Sequence, residues 1–131
     1  MRVHHAVILV AAATLFFSCA SAPIPAPEGL TPAELIQRAQ DANDANNREQ
    51  AVIYYQAILD RFPTDLGAVC AAEYEIAFIE YKEENFEAAK TGFRSLLSRY
   101  EGSDAALLPA QYKILGEKIL AKIELREAEK K

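Results

Sequence analysis

The stretch "NREQAVIYYQAILDRFPTD" at Asn47–Asp65 can be laid over "NFEAAKTGFRSLLSRYEGS" at Asn85–Ser103, an offset of 38 residues. Asn47/Asn85, Glu49/Glu87, Ala51/Ala89, Leu59/Leu97 and Arg61/Arg99 are identical, and Tyr55/Phe93, Ile58/Leu96 and Phe62/Tyr100 are alike. In both copies the apolar residues recur at three- and four-residue steps, the spacing of one helix face. Ala51, Tyr55, Ile58 and Phe62 make the stripe in the first copy, and Phe86, Ala89, Phe93, Leu96 and Tyr100 in the second. The offset extends further, since "AQYKILG" at 110–116 echoes "AEYEIAF" at 72–78. A two-helix unit recurring at this length marks a repeat array, in which each hairpin buries its apolar face on the next.

The neighbouring segments also read as helix. "TPAEL" at 31–35 is a start signal, with Thr31 as N-cap, Pro32 at the first helical position and Glu34 closing a capping box. This first helix runs to about Asn43 and is broken by "DANDANN". The second spans about Arg48 to Arg61 and ends at "FPTD". The third runs from near Leu66 to about Glu83 with two stripes, Cys70–Tyr74–Ala77–Tyr81 and Val69–Ala72–Ile76–Ile79. A helix apolar on two faces is sandwiched between neighbours. The fourth begins near Phe86 and ends at "YEGSD". The fifth carries Leu108, Tyr112, Leu115, Ile119 and Ile123 on one face, with Pro109 in its first turn. The charged tail "ELREAEKK" is expected to fray.

Within this all-α pattern, "AEYEIAFIEYKEENFEAAKTGFRSLLSRY" (Ala72–Tyr100) resembles a tetratricopeptide repeat. Ala77 falls where the repeat places a small residue between packed helices, and Phe86, Ala89 and Phe93 fall on its aromatic–alanine–aromatic positions. In the earlier copy Ala51, Tyr55 and Pro63 match its alanine, aromatic and terminal proline. The resemblance covers about Thr31 to Ile123. The period exceeds the family's roughly 34 residues by one helical turn. Such longer repeats resemble those of tetratricopeptide lipoproteins of the outer-membrane β-barrel assembly machinery and of Tol-Pal-associated periplasmic proteins. The resemblance implies a short right-handed solenoid of helical hairpins over 31–131, with the first helix of each pair lining a concave face. By family register the groove positions of the third helix are Ala71, Tyr74, Phe78, Tyr81 and Lys82. Tyr74, Phe78 and Tyr81 share one helix face, and an aromatic row suits apolar peptide anchors. Packing of the first or fifth helix over these rings would make them core instead.

The N-terminus supplies a second signal. Arg2 precedes Ala6–Phe17, twelve residues without a charge. That is short of the roughly 20 apolar residues a bilayer span needs, and it suits the h-region of a secretory signal, about 7–15 residues long. Small residues follow: Ser18, Cys19, Ala20, Ser21 and Ala22. Phe16, Phe17 and Ser18 before Cys19 resemble a relaxed bacterial lipobox of the kind found in spirochaetes. That implies cleavage before Cys19, diacylglycerol on its thiol, and a signal peptide over 1–18. A plain cleaved signal or an uncleaved anchor are the alternatives. Pro23, Pro25 and Pro27 then make residues 19–30 a lipidated cysteine and proline-rich linker, a semi-rigid spacer of about 3 Å per residue.

Composition removes most other chemistry. Loss of residues 1–18 takes away Arg2, His4 and His5 and moves the formal charge from −5 to −6. An acidic surface argues against nucleic acid, and membrane contact is expected through the lipid. Past Cys19 there is no histidine, tryptophan or methionine, and the other cysteine is Cys70. No catalytic triad, Cys/His pair or Cys/His zinc set can be built from these residues. The glycines are scattered singly, so no phosphate loop is present. Cys70, in the apolar "AVCAAEYEIAF", is expected as a buried free thiol. Glu73, Glu75, Glu80, Glu83, Glu84 and Glu87 are expected on a solvated face. The expectation is therefore a non-enzyme without cofactor or metal: a lipid-anchored adaptor on the periplasmic side of the outer membrane that binds envelope proteins or peptides. A lipoprotein holding a small apolar or peptidic ligand between its helices is the alternative, and a glutamate-dependent hydrolase a weaker third.

Overall fold

The computed structural model describes residues 22–129, so Cys19 and the signal peptide expected over 1–18 lie outside the described part. Five helices follow in order: α1 (Pro32–Asp44), α2 (Arg48–Arg61), α3 (Leu66–Lys82), α4 (Phe86–Ser98) and α5 (Ala110–Ala128). Two single 3₁₀ turns, Arg99–Glu101 and Ala105–Leu107, bridge α4 to α5. Among the described residues there is no strand.

Local chemistry places the helix starts. The Thr31 hydroxyl accepts from the Glu34 N–H while the Glu34 carboxylate accepts from the Thr31 N–H at 2.8 Å, closing the expected capping box. These hydrogen bonds also hold the Glu34 pKa below its usual value. Asn47 caps α2 through Gln50 N–H, and Asp65 caps α3 through Ala68 N–H. Such caps satisfy backbone donors that a helix start leaves orphaned.

The repeat is visible in the backbone of the turns. Asn46 (φ 60°) ends the α1–α2 turn in the left-handed region, and Glu84 (φ 62°) does the same between α3 and α4. Asn47 N–H donates to Ala42 C=O at 2.8 Å, and Asn85 N–H donates to Glu80 C=O at 2.9 Å. Asn46 N–H to Asn43 C=O and Glu84 N–H to Tyr81 C=O form the next bond of each turn. Each bond lies 38 residues from its counterpart, so the two hairpins turn by one device, the 6→1 bond of a left-handed helix stop.

The core has two parts with α3 between them. Leu35, Ala39, Ala51, Tyr55 and Ile58 pack with Ala68, Ala72 and Ile79 of α3. Phe93, Leu96, Ile119 and Ile123 pack with Cys70, Tyr74 and Ala77 of α3. The two stripes read from the sequence of α3 thus face two different partners, as a sandwiched helix requires. Burial of each large apolar side chain contributes about 1.5–3 kcal/mol. Helices α3 and α4 approach most closely where Gly92 meets Ala77; a Cβ on Gly92 would lie 2.8 Å from the Ala77 Cβ.

Several expectations need correction. The proline-rich segment is not a free spacer over its whole length. Gln50 is buried and bonds both backbone groups of one residue, accepting from Ile24 N–H at 2.7 Å and donating to Ile24 C=O at 2.6 Å. Arg61 donates to the carbonyls of Ala26 (2.8 Å) and Pro27 (2.7 Å), and Ala26 joins the first core. Proline has no N–H to bond but keeps its carbonyl, so a proline-rich strand presents acceptors to a guanidinium. Pro109 is the residue before α5 rather than a member of its first turn. Leu115 is 39 % exposed, and Gly116 takes the inward position because α5 there meets Phe93 and Leu96. The tail does not fray at Glu124: α5 continues to Ala128. Lys90 of α4, nearly buried, bonds Glu127 at 2.9 Å, and Arg126 bonds Glu84 at 3.2 Å while its guanidinium lies 5.3 Å from the Phe86 ring centre.

Candidate functional site

The four side chains singled out on α3 occupy different environments. Tyr74 is 8 % exposed, Phe78 and Tyr81 are half-buried, and Lys82 is exposed. The rings form one continuous ribbon. Tyr112 of α5 lies 5.7 Å from Tyr74, Tyr74 stacks on Phe78 at 5.7 Å, Phe78 on Tyr81 at 5.9 Å, and Tyr81 meets Phe86 of α4 at 6.2 Å. Tyr74 also lies 5.7 Å from the buried Phe93. Each such pair contributes about 0.5–1.5 kcal/mol beyond area burial. Tyr74 is therefore core, whereas Phe78 and Tyr81 each pack one side and leave the other accessible.

The acidic residues are not a uniform solvated face. Glu73 takes a bidentate contact from Arg99 at 2.7 Å, Glu83 pairs with Arg48 at 2.6 Å, and Glu87 pairs with Lys90 at 2.6 Å. Glu84 pairs with Arg126, and Glu80 accepts from the Asn85 amide. Glu75 differs. It is partly buried, burial pushes its pKa up, and no cation or hydrogen-bond donor among the described residues is paired with it. Helical spacing places it beside Ala71, Phe78 and Lys82, on the flank of α3 turned from α4.

The charge of Glu75 acts on two phenols, Tyr55 and Tyr74. Tyr55 of α2 is 2 % exposed, and its pKa is raised by burial first and then by the charge of Glu75. The Tyr74 pKa is raised by the same two causes in the same order, and the Tyr112 phenol acts on both. Among the described residues no hydrogen-bond partner is paired with the Tyr55 hydroxyl, and no fully buried polar side-chain atom lacks one. Sequence periodicity missed this group because it treats each helix alone. Tyr55 counts as core on α2, and its coupling to Glu75 exists only after α2 and α3 are packed.

Cys70 is the buried free thiol expected, and burial raises its pKa, which leaves little thiolate to react. Tyr100 stands beside it and donates its hydroxyl to Pro109 C=O at 2.7 Å. Cys19, the proposed lipid attachment point, lies outside the described residues. Among the described residues no cluster of metal-ligating side chains occurs, and no helix is long and apolar enough to cross a membrane.

No protein-family model matches this chain, and no solved structure matches it significantly. The chain is similar to an uncharacterized protein of Treponema pallidum (strain Nichols), 42 % identical over 98 residues. The aligned region covers 73 % of this chain and 39 % of the relative, so the chain spans about two-fifths of the length of the protein it matches.

Proposed function

We propose that this chain is a non-enzymatic, lipid-anchored adaptor of the bacterial envelope. In this reading a tetratricopeptide-like solenoid on the periplasmic side of the outer membrane binds a partner protein or peptide. The observation that carries the reading is the repetition of the α1–α2 turn in the α3–α4 turn, bond for bond at 38 residues. A hairpin repeated in this way stacks into a solenoid and leaves the first helix of each pair, here α1, α3 and α5, along one face. Phe78, Tyr81 and Lys82 on that face are the partner-contacting residues, with Tyr74 supporting them from beneath. The relaxed lipobox at Cys19 agrees with the source of the relative, a spirochaete. The alternative, a small ligand enclosed between helices, gains no support from the grooves along α2 and α3, which are open to solvent.

Crosslinking in intact cells tests the adaptor. A photoreactive residue at Lys82 should capture one envelope protein reproducibly, and the same residue at Glu101, on the α4–α5 connection, should not. Equal or absent capture at both positions counts against the proposed face. Mass spectrometry of the mature N-terminus tests the anchor; an unmodified terminus at any residue other than Cys19 rules it out.

A further inference from the structure

We propose that the outer face of α5 is a docking seam for one amphipathic helix of a partner protein, which places an acidic residue against Lys118 and Lys122. Among the described residues the exposed large apolar side chains are Ile24, Leu107, Ile114, Leu115 and Leu125, and all but Ile24 lie on α5 or on the 3₁₀ turn that leads into it. Ile114 is 62 % and Leu125 63 % exposed. With Lys118 and Ala121 they follow steps of four, three and four along α5, which sets this row opposite the buried Gly116, Ile119 and Ile123. The fold itself shows what such a row receives. On α3 the row Cys70, Tyr74, Ala77 and Tyr81 has the same steps and faces α4, while Ala68, Ala72 and Ile79 on the opposite side join the first core. Both sets recur on α5 at a shift of 44 residues. The inner one returns as Tyr112, Gly116 and Ile123, packed in the second core. The outer one returns as Ile114, Lys118, Ala121 and Leu125, with no helix over it among the described residues.

Charge and shape select the occupant. A single row at this spacing, rather than a broad apolar face, is the seam that one helix fills. Lys118 stands inside the seam and Lys122 at its edge, and neither takes part in an ion pair or hydrogen bond among the described residues, whereas Lys90 and Arg94 of α4 both do. A lysine in a seam selects its partner. An acid opposite pairs with it, an apolar residue leaves its charge drawn from water, and a base repels it. A second copy of α5 is therefore a poor occupant. Paired parallel, it sets Lys118 against Lys118; paired antiparallel with Ile114 opposite Leu125, it sets Lys118 beside Lys122. An anionic bilayer is a poor occupant too, because Glu117 and Glu124 stand along the other edge of the row. The seam is separate from Phe78, Tyr81 and Lys82 and binds whether or not the α3 face does.

The test uses the purified full chain and three fluorescent peptides of about 20 residues, long enough to form a helix on binding. Each carries leucine at alternate steps of three and four on an alanine and glutamine background, with glutamate, glutamine or lysine at the two central positions beside the leucine row. Anisotropy should rank glutamate above glutamine above lysine, with a ratio of about ten or more between first and last. Lys118→Glu with Lys122→Glu should invert that order, and Leu125→Glu should abolish binding of all three. These variants change exposed residues and should melt with the parent. Lys118→Gln with Lys122→Gln should level the three peptides, and it decides the case where a charge-reversed variant fails to fold. No binding, equal affinity for the three peptides, an order that survives the charge reversal, or binding that survives Leu125→Glu would overturn the seam. So would a concentration-dependent dimer in sedimentation, or co-sedimentation with phosphatidylglycerol vesicles, that Leu125→Glu abolishes; the first gives the face to a second copy and the second to a lipid surface. The Lys82 crosslink tests the α3 face separately, and its failure leaves the seam standing.

Discussion

Gly92 and Gly116 lie on opposite sides of one packing problem, and the same substitution should have opposite signs at the two sites. Both sit inside helices, where glycine costs about 0.5–1 kcal/mol relative to alanine. At Gly116 a new Cβ would stand 3.6 Å from Phe93 and 3.7 Å from Leu96, ordinary contact distances. Gly116→Ala should therefore stabilise by the propensity term plus about 0.8 kcal/mol for a buried carbon, together about 1.3–1.8 kcal/mol. At Gly92 the new Cβ would stand 2.8 Å from the Ala77 Cβ and 3.4 Å from its Cα. Neither atom can swing aside, so α3 and α4 must separate. Overpacking of this kind costs about 1–3 kcal/mol, which outweighs the propensity gain and leaves a net loss of about 0–2 kcal/mol. For a domain of this size 1 kcal/mol moves Tm by about 4–8 °C. Thermal melts of the two single variants should thus diverge on either side of the parent. The decisive variant is the exchange Ala77→Gly with Gly92→Ala, which moves the methyl across the interface. It should return to near the parent Tm, because the pair couples and the two helix penalties swap. If Gly92→Ala raises Tm as much as Gly116→Ala does, the close approach of α3 and α4 is not where it is placed here.

Phe93→Ala should cost about 3–5 kcal/mol as a fully buried aromatic, whereas Tyr81→Ala, at the accessible edge of the ribbon, should cost clearly less in the same melts and lower Lys82 crosslinking; equal damage from both would make Tyr81 core and remove it from the proposed face. Because burial raises the Glu75 pKa, the folded protein holds that proton more tightly than the unfolded chain, so this group's contribution is most favourable below the ordinary carboxylate range and is lost as pH rises through the raised value. Glu75→Gln should accordingly raise Tm at neutral pH, with the gain vanishing near pH of about 4; a loss at neutral pH would mean that Glu75 has a partner. Gln50→Ala together with Arg61→Ala should free residues 24–28, seen as new protease cleavage there and a loss of about 1–3 kcal/mol; cleavage unchanged from the parent would count against the clamp.

The repeat was legible because its signals are local. A capping box, a helix stop at Asn46 and Glu84, and apolar residues at steps of three and four all act within one hairpin. Helix bounds could be read to within a residue or two for the same reason. What escaped the sequence needed two elements at once. The proline-rich segment reads as a spacer by composition, and nothing in residues 20–30 reveals that a buried glutamine 26 positions after Ile24 will bond both of its backbone groups. The tail reads as fraying because its charges look solvated, yet Glu127 and Arg126 find Lys90, Glu84 and Phe86 across the fold. Glu75 looks like its neighbours in the sequence, and only its burial without a paired cation among the described residues sets it apart.

The clamp on Ile24 also sets a length. A linker free as far as Leu30 would put eleven Cα steps between Cys19 and the folded domain, a reach of roughly 38 Å; with Ile24 pinned there are five, roughly 17 Å. For a chain held by a lipid at Cys19, the volume swept by the domain scales as the cube of that reach, so the pinned form explores about a tenth of the space and raises its effective concentration toward nearby membrane partners about tenfold. The leash also has a fixed point of attachment. Pro23 borders the groove formed by Asn46–Glu49, so under a lipid at Cys19 that end of the molecule would be the one turned to the bilayer. Gln50 and Arg61, neither of them on α3, would then govern how far from such an anchor and in which orientation the α3 face is offered.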